Sequence, residues 1–144
     1  MTNEELRALR VRDVMQAVVK TLGRNDRLSL ADDVMAAARI RHVPVLDEDG
    51  TLCGILSQRD MFRGALAAAL GYGEAAQRKM LGMLVVKEVM TTDVLTIEPG
   101  ASLMEAARRM LERKIGCLPV VEHGRLVGIL TESDFVALAA RAGA

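Results

Sequence analysis

Two four-residue phrases carry the chemistry of this chain: Ser57-Gln58-Arg59-Asp60 and Thr131-Glu132-Ser133-Asp134. In each, a hydroxyl residue stands three positions before an acid, directly after an apolar run, Gly54-Ile55-Leu56 or Gly128-Ile129-Leu130. A strand that gives way to a helix at that hydroxyl presents free N–H groups and the positive end of the helix dipole, a setting that suits a phosphate. One helical turn further, Asp60 or Asp134 offers two oxygens that can accept the two hydroxyls of a ribose. The glycines, lacking a Cβ, let the backbone come close to a ligand. The competing reading is structural: Ser57 and Thr131 are N-caps, and the two acids are favoured in the first turn by the dipole.

The elements that must position these phrases occur twice. Val14-Met15 through Pro44 aligns without gaps on Val89-Met90 through Pro119, and the closing halves match with one residue lost in the intervening turn. Each copy predicts β-α-β-β-α. A brief strand (residues 18–22; 94–97) precedes a helix with apolar positions at helical spacing (residues 28–40; 106–114), where Ser102 and Glu105 have capping-box spacing. A hairpin follows (42–46 with 52–57; 117–121 with 126–130), closed by Asp49-Gly50 and His123-Gly124 turns, and then a second helix. The hairpin strands are almost continuously apolar, as expected for burial on both faces, and Pro44 and Pro119 mark an edge or a bulge. The expected division is a helical lead-in over 1–10, repeat 1 over 11–62, a helical connector over 63–85 broken at Gly71 and Gly73, and repeat 2 over 86–144. The connector either packs on a partner subunit or only bridges the repeats. Two units of this size need each other to bury a sound core, and a cleft related by a pseudo-two-fold axis is the expected ligand site.

Composition narrows the function. The 144 residues are 51% hydrophobic and 26% charged, which argues for an ordered globule. No apolar stretch reaches membrane-spanning length and Met1-Thr2-Asn3-Glu4-Glu5 lacks signal-peptide features, so a cytoplasmic location is expected. Nineteen basic residues balance nineteen acidic ones and aromatics are 2%, which argues against nucleic-acid binding. Cys53 and Cys117 read as buried thiols. Neither His42 nor His123 has a neighbour that makes a nucleophile-base pair, no Walker or dinucleotide fingerprint occurs, and an enzyme is disfavoured. His42 and Cys117 are repeat equivalents, yet two ligands are too few for a metal site.

The Val-Met phrases, the Pro-Val strands and the Gly-Ile-Leu-Ser/Thr-x-x-Asp closings, in order and twice, resemble paired CBS domains, the module named after cystathionine β-synthase and also called a Bateman module. The resemblance implies an α/β (α+β) fold of two intertwined units, commonly homodimerised through their helices, that binds adenosine-containing ligands and regulates another protein or domain. AMP, ADP, ATP and S-adenosylmethionine are the candidate ligands, and no cofactor is required. In related modules a pocket takes ribose and phosphate contacts from one repeat and its adenine wall from the other. Carried onto this sequence, Thr131 and Asp134 work with Ile40 and Arg41, and Ser57 and Asp60 with Ile115 and Gly116. Arg59 assists the Ser57 pocket, while Asp26 and Ala101 rim the two sites. Asp26 would repel an anion and Arg41 either fills its pocket or pairs with a phosphate, so the two sites are expected to differ. The rival to a ligand sensor is a ligand-free dimerisation scaffold.

Overall fold

The computed structural model describes residues 1–70 and 72–142. Thr2 starts the chain's first helix, α1 (Asn3–Ala8), with a full capping box: its hydroxyl accepts the Glu5 N–H and the Glu5 carboxylate accepts the Thr2 N–H. A single turn, α2 (Val11–Val14), follows. The order thereafter is β1 (Leu22–Gly23), α3 (Leu28–Ala38), β2 (His42–Leu46), β3 (Leu52–Ser57), α4 (Gln58–Ala69), α5 (Glu74–Met83), a 3-10 turn (Val86–Glu88), α6 (Leu103–Arg113), β4 (Cys117–Glu122), β5 (Arg125–Thr131) and α7 (Glu132–Ala142).

These elements form two compact units, and each unit takes its leading segment from the other repeat. A contiguous unit comprises Lys20–Val94; a split unit joins Met1–Val19 to the chain from Leu95 onward. In the contiguous unit, β2 is central, parallel to β1 and antiparallel to β3. Its core is Leu28, Met35, Val43, Val45, Leu56 and Met61, all at most 1% exposed. The lead of the second repeat closes this unit: the Leu28 N–H donates to Leu84 O, the Val86 N–H to Asp26 O and the Lys87 N–H to Arg24 O. In the split unit, Val11, Leu103, Ala106, Leu118, Val120 and Leu130 form the core. There the lead of the first repeat plays the same part, with the Val11 N–H donating to Ala101 O, the Arg12 N–H to Pro99 O and the Leu103 N–H to Leu9 O.

The two hairpins form where the alternation of turn signals and apolar runs places them. Pro44 pairs with Ile55 and Pro119 with Ile129, and a bulge follows one residue later in each strand. Ile97 bonds to β4 through Pro119 O and the Val121 N–H, so the prolines stand at the margin of the third strand, where a missing donor costs little. His123 and Gly124 both take positive φ (52° and 78°), the left-handed pair that a two-residue hairpin turn needs.

Four local expectations change. The strand expected over 18–22 shrinks to Leu22–Gly23, because Val18 is 91% exposed and has no ladder to join. Its counterpart over 94–97 is only a bridge from Ile97 to Val120. The capping box at Ser102 and Glu105 does not form: the Ser102 side chain makes no cap bond, and Glu105 pairs with Arg109 at 2.7 Å along the helix. The connector does more than bridge, since α5 packs on α3 and α4 and buries Leu81 in the core of the contiguous unit.

Candidate functional site

A repeated device delivers the site residues. Arg39 (φ 56°) and Lys114 (φ 55°) end α3 and α6 in the left-handed conformation, and the next N–H reaches back into the helix, Ile40 to Met35 O at 3.0 Å and Ile115 to Met110 O at 3.1 Å. The chain thus turns into β2 or β4 beside the closing phrase. The Gln58 N–H donates to Arg41 O at 2.9 Å and the Glu132 N–H to Gly116 O at 3.1 Å. Within each unit the closing phrase therefore meets the entry residues of its own repeat, Ile40 and Arg41 with Ser57 and Asp60, and Ile115 and Gly116 with Thr131 and Asp134, whereas the resemblance pairs Thr131 and Asp134 with Ile40 and Arg41, and Ser57 and Asp60 with Ile115 and Gly116. Ile40 and Ile115 pack on the respective cores, whereas Arg41 and Arg59 are exposed.

The two closing phrases use their polar groups differently. Ser57 is the N-cap of α4, its Oγ accepting the Asp60 N–H at 3.0 Å. This leaves the half-buried Asp60 carboxylate to receive one hydroxyl, Thr91 Oγ1, at 3.3 Å. In the split unit the acid folds back onto the residue before α7: Asp134 Oδ2 accepts the Thr131 N–H at 2.8 Å and the Thr131 hydroxyl at 3.3 Å. Its Oδ1 accepts Gln16 Nε2 at 2.8 Å, and Asp134 is 6% exposed, a burial tolerable for a carboxylate because both oxygens are bonded. Thr131 Oγ1 also lies 3.2 Å from Ser133 Oγ.

Gln16 and Thr91 were not among the residues the sequence singled out. The signal was available: each directly follows the Val-Met phrase of its repeat, and each bonds the closing acid of the unit it enters. Their backbones form matching antiparallel bridges, Gln16 with Ile129 and Thr91 with Ile55, both bonds at 2.9 Å in each case. The glycines beside them admit this chain segment. A Cβ on Gly54 would stand 2.6 Å from Met90 Sδ and 2.9 Å from Thr91 O, and one on Gly128 would stand 2.6 Å from Met15 Sδ and 2.9 Å from Gln16 O. Asp26, expected at a rim, turns its carboxylate onto the Gly23 N–H at 2.7 Å.

Cys117, paired with Thr131 at the start of β4, is buried, and desolvation with Glu132 nearby pushes its thiol up to about 12. Burial also raises Cys53. Among the described residues no three His, Cys, Asp or Glu side chains come together as metal ligands, and no helix is long and apolar enough to cross a membrane.

Two copies of one small α+β unit, each sealed by the other's leading segment and each carrying an acid at a strand-helix junction, define a tandem-repeat module. The chain belongs to the CBS domain family, whose model matches residues 11–66 and 86–141. Among curated relatives, it is 31% identical to a CBS domain-containing protein of Dictyostelium discoideum, covering 89% of each chain. It spans only 42% of a 31%-identical protein of Methanocaldococcus jannaschii, and 23% of a 34%-identical homoserine O-acetyltransferase of Methanococcoides burtonii, matching 89% and 86% of this chain. Among solved structures, a Vibrio cholerae protein with a proposed role in acetoin utilization (AcuB) is 42% identical, with a TM-score of 0.76 over 93% of this chain and 92% of that one. The CBS pair of protein MJ0100, solved with 5-methylthioadenosine and S-adenosyl-L-methionine, is 29% identical (TM-score 0.75; 93% and 98% covered). CBSX2, solved with AMP, is 28% identical (TM-score 0.75; 95% and 100% covered).

Proposed function

We propose that this CBS pair is a non-catalytic regulatory module that takes up an adenosine-containing ligand and passes its occupancy to a partner protein or domain. The observation that carries the reading is the β3–α4 junction. There Ser57 caps a 12-residue helix, Asp60 holds a half-buried carboxylate on one 3.3 Å hydroxyl bond, and two exposed cations stand at the junction: Arg59, which precedes Asp60 in the chain, and Arg41, whose carbonyl accepts the Gln58 N–H. Helix dipole and guanidinium groups favour a phosphate, and a two-oxygen acceptor suits the ribose diol. The adenosine ligands of MJ0100 and CBSX2 support the same chemistry. The proposal extends to a cytoplasmic homodimer, for which the exposed apolar positions Phe62 and Leu66 on α4 and Val136 on α7 supply contact surface.

Roughly 23 heavy atoms at about 0.3 kcal/mol each give about −7 kcal/mol, a dissociation constant on the order of 10 μM. Thermal unfolding with AMP, ADP, ATP and S-adenosylmethionine at about 1 mM tests this, since such an affinity adds about 2.7 kcal/mol. A rise with at least one ligand that disappears in Asp60→Ala, the variant itself still folding cooperatively, is expected. No rise with any of them leaves a ligand-free dimerisation scaffold.

A further inference from the structure

The geometry points to Gln16 as a built-in plug that closes the Asp134 site to a ribose, so that one adenosine ligand binds per chain, at Asp60. The inference rests on the reading above that these acids receive the ribose. Asp60 and Asp134 occupy the same place in their repeats, and each meets the residue that follows a Val-Met phrase. What differs is the side chain there. The Gln16 amide donates to Asp134 Oδ1 at 2.8 Å, while two Thr131 donors fill Oδ2. A vicinal diol needs two open acceptor positions on the acid it binds; with two donors on Oδ2 and Gln16 on Oδ1, Asp134 keeps one, and loss of the Gln16 amide restores the second. At Asp134 it must displace a short, charge-assisted bond in a site only 6% exposed, and the donors on Oδ2 belong to the helix start itself. At Asp60 it displaces a single 3.3 Å hydroxyl bond, because here the Ser57 hydroxyl accepts the Asp60 N–H and leaves the carboxylate alone.

The plug is a side chain and not a segment. Both Gln16 and Thr91 are pinned through their backbones by paired 2.9 Å bonds to β5 and β3, and both are exposed. Exchanging the two exposed side chains leaves the backbone bridges in place and alters only the donor offered to each acid, Asp134 Oδ1 or Asp60 Oδ2, which makes the inference testable by reciprocal substitution.

Isothermal titration with AMP, with 2′-deoxy-AMP as the diol control, reads the stoichiometry. Wild type is expected to bind one AMP per chain and to bind 2′-deoxy-AMP at least tenfold more weakly. Gln16→Thr is expected to add a second equivalent, and Gln16→Ala to do the same. Thr91→Gln is expected to weaken the first site at least tenfold, and thermal midpoints confirm that each variant is folded. One equivalent in wild type and in both Gln16 variants, or two in wild type, overturns the plug while leaving the ligand-sensor reading intact. No binding by any variant overturns the sensor reading and the plug with it.

Discussion

Replacing Gly54 by Ala tests how tightly an exchanged leading segment is held. The new Cβ would lie 2.6 Å from Met90 Sδ, 3.1 Å from Met90 Cγ and 2.9 Å from Thr91 O. The thioether is the end of a flexible side chain and can rotate away at modest cost. The carbonyl cannot, because Thr91 O accepts the Ile55 N–H and Ile55 O accepts the Thr91 N–H, each at 2.9 Å. Relief requires the bridge to stretch or open, at about 0.5–1.5 kcal/mol per bond, in addition to the repacking of Met90. The sum is about 2–3 kcal/mol, or a fall in melting midpoint of about 6–9 °C for a chain of this size. Urea denaturation should show the same loss with an unchanged slope. Adding Met90→Ala should not restore stability, because the carbonyl contact remains. As the opposite control, Gly82 lies within α5 with nothing within 4 Å of a built Cβ, and Gly82→Ala should gain about 0.5–1 kcal/mol. Full rescue of Gly54→Ala by Met90→Ala, or a neutral Gly54→Ala, would refute the backbone-clash argument.

Asp134→Ala strands the Gln16 amide and both Thr131 donors and should cost about 2–4 kcal/mol, against about 1 kcal/mol or less for Asp60→Ala; equal losses in urea titrations would contradict the asymmetry. Lys114→Gly and Arg39→Gly remove a side chain from a left-handed helix end and should each raise stability by up to about 1 kcal/mol, a prediction that a lowered melting midpoint would sink. Thiol labelling of the native protein near pH 8 should modify Cys53 and spare Cys117, whose thiol sits near 12; mass spectrometry of the labelled peptides decides. Because the folded Cys117 pKa lies above the ordinary value of 9.0, the folded state holds that proton longer, so stability should fall as pH rises from about 9 to about 12; Cys117→Ala should flatten that decline.

Much of the framework was legible. Both hairpins and the helices that follow them are written in apolar runs and turn signals, and the acids sit at strand-helix junctions as their spacing requires. The exchange of leading segments was legible only through the family resemblance, which implies intertwined units, and not from the residues themselves. Val14-Met15 and Val89-Met90 are near copies, and local sequence cannot say which of two similar grooves each one fills. Gln16 and Thr91 were missed for the same reason, since their importance lies in a hydrogen bond across 118 residues in one case and 31 in the other. Ser102 and Glu105 had capping spacing, but Arg109 one turn on offers Glu105 a charged partner that a neutral cap cannot match. The 3.6-residue period also foretold a helix in the connector without indicating that α5 would bury Leu81.

The exchange makes the covalent link between α4 and α5 dispensable for cohesion. A protease that cut between α4 and α5 would leave two fragments, neither owning a whole unit. The first would carry the α1–α2 lead that seals the split unit; the second would carry α5 and the Val86–Met90 lead that seal the contiguous one. The nicked protein should migrate as one particle and come apart only on dilution or denaturation, with both units lost together. A single repeat, made alone, would lack the lead that its groove expects and could obtain one only from a second copy of itself. Gene duplication of such a self-exchanging ancestor would convert a concentration-dependent pair into a chain whose halves are always at hand.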